Sequence, residues 1–235
     1  MNPSPTVLCV IVAHNEAANL PLVVADIRAQ HKKLDILIVD DGSTDRTMSV
    51  LPGLRVRWVQ LPERMGVGSA MRTGLRYAAR RGYDVVVRVD GDGQHRAADI
   101  AGLLDALETR RADVAVGTRY QIDQPVRRSQ RLLSAVLSLA TRQRVTDPTS
   151  GFCAFGPRAM RILAEHHPGG YPEPELRLFV ERNALTVVEV GVRPRQRFHG
   201  RTSLTAGRII ATTARVALAL AVVPWRRRVQ ETARA

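Results

Sequence analysis

Residues 83–117, "YDVVVRVDGDGQHRAADIAGLLDALETRRADVAVG", decide the fold class. A β-branched run (83–90) stops at two aspartates, two glycines, a glutamine and a histidine. An amphipathic stretch (96–110) follows, and a second apolar run (112–117) closes the segment. Strand, helix and strand at these lengths make a βαβ unit. The pattern extends toward the N-terminus. "TVLCVIVA" (6–13), "LDILIVD" (34–40) and "LRVRWVQL" (54–61) read as strands. Residues 16–30 have helical spacing through Leu20, Val23, Val24 and Ile27, and 68–81 read as another helix. The alternation predicts an α/β fold, Rossmann-like, with a mostly parallel central sheet flanked by helices. Beyond 117 the pattern loosens into a helix (129–143), a loop "TDPTSGF" (146–152), a helix (171–184) and a strand (185–194).

Ligands of open parallel sheets bind beyond the carboxyl ends of the strands. Three polar motifs fall at such ends: "AHNE" (13–16), "DDGSTD" (40–45) and "DGDGQH" (90–95). Each has an ordinary reading. Asp40 and Asp41 suit a turn, with Ser43 or Thr44 capping the next helix. Asn15 suits a cap and Glu16 a first-turn acid. Gly66 and Gly68 suit either a phosphate or close packing of a helix on the sheet. Asp41 or Glu16 could equally accept hydrogen bonds from a ribose or base. "DGDGQH" is sharper. Asp90, Asp92 and Gln94 stand at i, i+2 and i+4, which can turn hard oxygen donors to one side, as Mg²⁺ requires. Gly91 and Gly93 allow close backbone approach. A plain turn needs only one Gly and one Asp.

Composition limits the alternatives. The 235 residues carry a formal net charge of +13. From Arg193 onward ten arginines face one acid, Glu231, leaving +9 on that segment. Such a basic end suits phosphate groups, anionic lipid or nucleic acid. Cys9 and Cys153 form no disulfide framework, so a reducing cytosol is the default. The N-terminus lacks the basic n-region of a signal peptide. The best apolar run, Val216–Trp225, has ten residues, about half of the ~20 needed to cross a bilayer.

Together, "VIVAHNEAANL", "ILIVDDGSTDRT", "VVVRVDGDGQH" and "DPTSGF" resemble family 2 glycosyltransferases of the GT-A fold. The similarity is to the dolichol- and polyprenyl-phosphate sugar transferase branch, over about residues 6–205. The resemblance implies a GDP- or UDP-sugar donor and Mg²⁺ or Mn²⁺. It implies that Ala13, Asn15, Glu16 and Asp41, with Gly68, line the nucleotide pocket. It places Asp90 on the ribose or the metal, and Asp92 and Gln94 on the metal and diphosphate. Gly117, Thr118 and Arg119 match a "G(S/T)R" stretch on the acceptor side. Asp147 and Ser150 would shape the sugar and acceptor pocket. Arg197, Arg201 and Ser203 of "RFHGRTSL" would face phosphates, and Glu173 or Glu175 of "YPEPE" would approach the acceptor. His14 and Arg64 depart from the Tyr and Asn common there.

The resemblance implies transfer with inversion. A lipid phosphate acceptor needs arginines such as Arg119, Arg197 and Arg201. A hydroxyl of an envelope saccharide needs a base such as Asp147, Glu173 or Glu175. The expected organisation is a catalytic domain (1–205) and a basic amphipathic helical tail (206–235). On that tail Arg208, Thr212 and Arg215 share one face and Trp225 precedes three arginines. The tail suits an anionic membrane surface, with packing on the domain, a membrane-protein partner or a second copy as alternatives. The expected location is cytoplasmic, peripheral at the inner face of the cell membrane. A nucleotidyltransferase is disfavoured by the lack of an early Gly-rich signature with a following Lys. A nucleic-acid binder is disfavoured by four Phe, four Tyr and no recognisable motif.

Overall fold

The computed structural model describes residues 5–120, 128–167 and 172–200. The tail, Arg201 and Ser203 lie outside the described residues. One seven-stranded sheet runs through the molecule. In chain order its strands are β1 (Val7–Ala13), β2 (Asp35–Asp40), β3 (Arg57–Gln60), β4 (Val85–Asp90), β5 (Val114–Thr118), β6 (Cys153–Phe155) and β7 (Val187–Gly191). The spatial order is β3-β2-β1-β4-β6-β5-β7. All pairings are parallel except those of β6 with β4 and β5. The unit expected over 83–117 is present, but β6 slots between its two strands.

The central strands are buried on both faces, as apolar runs without alternation require. Cys9 and Ile11 of β1 face α1 (Leu20–Gln30) and α4 (Ile100–Thr109). Leu8, Val10 and Val12 face α3 (Val67–Arg81) and α6 (Pro157–His166). The α1 stripe Leu20, Val23, Val24 and Ile27 is buried at i, i+3, i+4 and i+7. Pro21 falls in its first turn, where the missing N–H costs nothing. α2 (Thr47–Val50) precedes β3. Against β1, Gly74 of α3 has no room for a side chain: a Cβ there would lie 2.5 Å from Val10. α5 (Arg128–Thr141) and α7 (Pro172–Arg182) form a satellite cluster through Leu133, Leu137, Val145 and Leu178.

Candidate active site

The sheet brings the three polar motifs together. Adjacent parallel strands place Ala13 beside Asp40 and Val12 beside Asp90. Asn15 takes the left-handed conformation at φ 58°, which Asn tolerates. Its side-chain oxygen accepts from the amides of Thr44 (2.8 Å) and Asp45 (3.2 Å), and its own amide donates to Ser43 Oγ (2.8 Å). The first two motifs are thus knitted into one surface. This differs from the helix caps expected of Asn15, Ser43 and Thr44. The amide of Thr47, at the start of α2, donates to Asp45 instead (2.8 Å). Ala13 is buried, and its carbonyl accepts from the Asp41 amide at 2.8 Å.

Both carboxylates of the pair 40–41 are buried and engaged by backbone. Asp40 accepts from the Ser43 amide (3.1 Å). Asp41 accepts from Met65 (2.8 Å) and Gly66 (2.9 Å) and so shapes the loop that opens α3. Gly68 sits in the buried first turn of that helix. His14 Nδ1 lies 2.8 Å from the Asp41 carbonyl, and Arg64 is exposed. Glu16, 8% exposed, accepts from Asn19 Nδ2 and Arg197 Nη2.

Beyond β4 the carboxylates of "DGDGQH" differ in environment. Asp90 Oδ1 accepts from Arg88 Nε (3.2 Å) and Nη2 (3.1 Å), and Arg88 is buried beneath it. Enclosure is the largest influence and raises the Asp90 carboxyl, but the Arg88 charge and hydrogen bond, with His95 and Arg119, together outweigh it and hold Asp90 below the usual carboxylate range. Burial, reinforced by the Asp90 charge, pushes Asp92 up. Asp92 Oδ1 accepts from the Gln94 amide at 3.0 Å. His95 stacks on Phe152, ring centroids 4.7 Å apart. Burial lowers its pKa despite the pull of Asp90 and Asp92. The Asp90 amide donates to its Nδ1 (3.1 Å), which places the neutral ring's proton on Nε2.

Among the described residues, no three His, Cys, Asp or Glu side chains gather as a cation site. The donor set nevertheless suits a hard cation sharing a diphosphate. Two carboxylates and the Gln94 amide supply oxygens, and Mg²⁺ takes only one or two carboxylates when phosphates complete its shell. The raised Asp92 carboxyl fits as well, because a cation would relieve the repulsion from Asp90.

The acceptor-side motifs meet at the same end of the sheet. Arg119, just past β5, grips Asp147 through Nε (2.7 Å) and Nη2 (2.8 Å). The Asp147 side chain is fully buried. Arg119 Nη2 also donates to Thr149 (2.9 Å). Gly151 presses the loop onto "DGDGQH": a Cβ there would lie 2.6 Å from Arg88 and 2.8 Å from Asp90 Oδ2. Gly117 is equally confined, 2.9 Å from the Phe152 ring, and Ser150 is buried. Glu173 and Glu175 belong to the first turn of α7.

Two features escaped the sequence reading. Glu189 on β7 accepts from Thr146 Oγ1 (2.6 Å) and from Arg177 of α7 (2.7 Å), a pair only 8% and 10% exposed. Thr146 Oγ1 lies 2.7 Å from Thr118 Oγ1. Glu189 therefore joins α7, β7 and the Asp147 loop. The second is a strap, 192–200, that leaves β7 and crosses the carboxylate loop. The amides of Arg195 and Phe198 donate to the carbonyls of Gln94 (3.2 Å) and Asp92 (3.3 Å). Arg195 reaches Gly93 O (2.6 Å) and Asp26 (2.8 Å), its guanidinium 4.2 Å from the Phe198 ring. Arg197 spans Glu16 and Asp92, the latter at 3.5 Å.

Gly93 (φ +79°) is what admits the strap, since a Cβ there would lie 2.2 Å from Phe198. Gly93→Ala is expected to lift it. The left-handed backbone alone costs about 1–2 kcal/mol, so trypsin should cleave after Arg195 or Arg197 about tenfold faster. Unchanged cleavage would contradict the strap's dependence on this contact.

Residues 8–166 match the family described as Glycosyl transferase family 2. A polyprenol monophosphomannose synthase from Mycolicibacterium smegmatis is 29% identical over 233 residues, covering 92% of this chain and 88% of that protein. An undecaprenyl-phosphate mannosyltransferase from Micrococcus luteus is 28% identical, covering 86% and 88%. Among solved structures, glucosyl-3-phosphoglycerate synthase from Mycobacterium tuberculosis, in complex with Mn²⁺, UDP and glucosyl-3-phosphoglycerate, superposes with a TM-score of 0.71. It is 21% identical and covers 92% of this chain and 80% of its own. With the sheet order, the converging motifs and a family match over most of the chain, this protein belongs to glycosyltransferase family 2 and is a glycosyltransferase of the GT-A fold.

Proposed function

We propose that the chain moves a sugar, with inversion, from a nucleotide-sugar donor to the phosphate of a polyprenyl-phosphate-type lipid, using Mg²⁺ or Mn²⁺. One observation carries the choice of acceptor. Both oxygens of the buried Asp147 carboxylate are held by Arg119, so Asp147 is poorly placed to take a proton from a hydroxyl. A lipid monophosphate, with a second pKa of about 6, is already a nucleophilic anion near neutral pH and needs a cationic holder. Arg119 supplies one, with 31% of its side chain still exposed. The names of the two bacterial relatives point to the same acceptor class. The Mn²⁺ and UDP of the solved neighbour agree with the donor side.

On this reading Ala13, Asn15, Glu16 and Asp41 frame the nucleotide, directly or through the loops they hold. Asp90, Asp92 and Gln94 would hold the cation, which neutralises charge on the leaving diphosphate when bound. Arg197 exchanges its carboxylate partners for donor phosphate. Arg119 orients the acceptor phosphate, one of whose oxygens bonds to the anomeric carbon as the bond to the nucleoside diphosphate breaks. Glu175 is the candidate base for a hydroxyl acceptor. Arg201 and Ser203 are assigned to phosphate groups, and the basic tail to the inner face of the cell membrane. Among the described residues no helix is long and apolar enough to cross a membrane.

Purified protein with Mn²⁺, a panel of GDP- and UDP-sugars, and polyprenyl phosphate should release nucleoside diphosphate only when the lipid is present. Equal transfer to a saccharide hydroxyl would favour the envelope-glycan reading. No lipid-dependent release with any donor would overturn the proposal.

A further inference from the structure

We propose that α5 is a lipid-contacting face whose outer stripe rests on an anionic membrane surface. Leu139 and Leu132, 83% and 64% exposed, are the two most exposed large apolar side chains among the described residues. With Ala135, exposed, and Val136, half-buried, they stand at i, i+3, i+4 and i+7 and share one face. The opposite face holds the helix to the protein through Leu133 and Leu137. The other exposed large apolar residues among those described, Leu22, Trp58, Met65 and Val67, are each less than half exposed; Leu22 and Trp58 stand singly, which needs no explanation, and Met65 and Val67 flank the start of α3.

Charge selects the occupant. Residues 128–141 contain no acid, while Arg128 and Arg131 open the helix and Arg142 and Arg144 follow it. An apolar stripe flanked by arginines complements an anionic headgroup layer over acyl chains. A water-facing helix of a soluble domain would carry charge where Leu132, Ala135 and Leu139 stand.

The helix is also fastened to the reaction centre. Gln130 Nε2 donates to Thr149 Oγ1 (2.9 Å), which accepts from Arg119 Nη2 as well (2.9 Å). The Val145 amide donates to Ser138 Oγ (3.0 Å), and Ser134 Oγ donates to the Val145 carbonyl. Docking of α5 therefore brings the 145–152 loop, with Arg119 and Asp147, to the lipid surface. The benefit for catalysis rests on the lipid-phosphate reading above; the docking itself does not.

The test uses the full chain. Cys9 and Cys153 are both buried, so a nitroxide can be placed selectively at Leu139→Cys, with Leu22→Cys on α1 as a control on the other side of the sheet. Vesicles of equimolar phosphatidylglycerol and phosphatidylcholine, without acceptor lipid, are added. On vesicles the label at 139 should gain collisions with oxygen and lose them with a water-soluble nickel chelate, while the label at 22 changes little. Three results overturn the proposal: no vesicle binding, a label at 139 that stays water-exposed on bound protein, or one already shielded in solution, which would mean that the tail or a second copy covers α5. As a second arm, Leu132→Asp with Leu139→Asp should weaken co-flotation by about tenfold. The same pair should slow transfer to vesicle-borne acceptor but leave transfer to a short, water-soluble prenyl phosphate unchanged. Loss of transfer to both acceptors in the unaltered protein would count against the function proposed above, not against docking, which the vesicle arms decide alone.

Discussion

Asp92→Asn is expected to lower the transfer rate by about 10²–10³-fold, the usual cost of removing one preorganised electrostatic contact, without loss of stability. The asymmetry follows from where the carboxylate stands. Burial and the neighbouring Asp90 push Asp92 up, so its charged form is disfavoured in the folded protein. Asn keeps the Oδ1 that accepts the Gln94 amide and removes the charge. Arg197 loses one partner at 3.5 Å and keeps Glu16. The sign is checkable against pH. A carboxyl raised in the folded state contributes most stability when protonated, below its ordinary value of about 3.9. It loses that contribution as pH rises through the folded value. Wild type and variant should therefore melt together in acid, and the variant should melt at or above wild type near neutral pH. Full activity in Asp92→Asn would reduce "DGDGQH" to a turn.

Much of the architecture was legible because apolar runs and amphipathic stretches alternate clearly up to β5. The first four strands and α1, α3 and α4 stand where their periodicity puts them. Beyond β5 the helices α5 and α7 and the strand β7 are also where the sequence puts them, and legibility failed at β6 and α6. Cys153–Phe155 is three residues long, too short for any period, and its antiparallel insertion between β4 and β5 depends on partners far away in the chain. α6 escaped for another reason: two of its four buried residues are Ala159 and Ala164, and small side chains leave a faint stripe. The site shows the same division. The three strand-end motifs converge because parallel strands share a carboxyl edge. What each carboxylate touches was not readable. Asp41 binds the amides of Met65 and Gly66, an arrangement set by the loop that returns from β3. Glu189 and Arg177 pair across twelve positions between a helix and an edge strand. Arg195 registered only as basic composition and Arg197 only as a phosphate contact; their carboxylate partners were not readable, because the strap needs β7 to bring it back over β4.

Arg119→Ala should be the most destabilising of the polar substitutions at the site, costing about 3–5 kcal/mol, the penalty for stranding a buried charge. Asp147 is fully buried. Without the guanidinium fork it keeps only the Arg119 amide (3.3 Å) and contacts from Thr149 at 3.3 and 3.4 Å. Arg119→Lys should fall between, since an ammonium restores charge but not two parallel hydrogen bonds. The pair Arg119→Met with Asp147→Leu separates structure from chemistry. Replacing a buried ion pair by apolar residues is often neutral or stabilising, so this protein should recover most of the urea midpoint lost by the single variant. Its transfer should remain near background, because the guanidinium assigned to orient the acceptor phosphate is gone. Equal stability of the single and double variants would show that Asp147 is not paired as described. Wild-type transfer by the double variant would remove Arg119 from acceptor binding and reopen the hydroxyl reading, with Glu175 as its base.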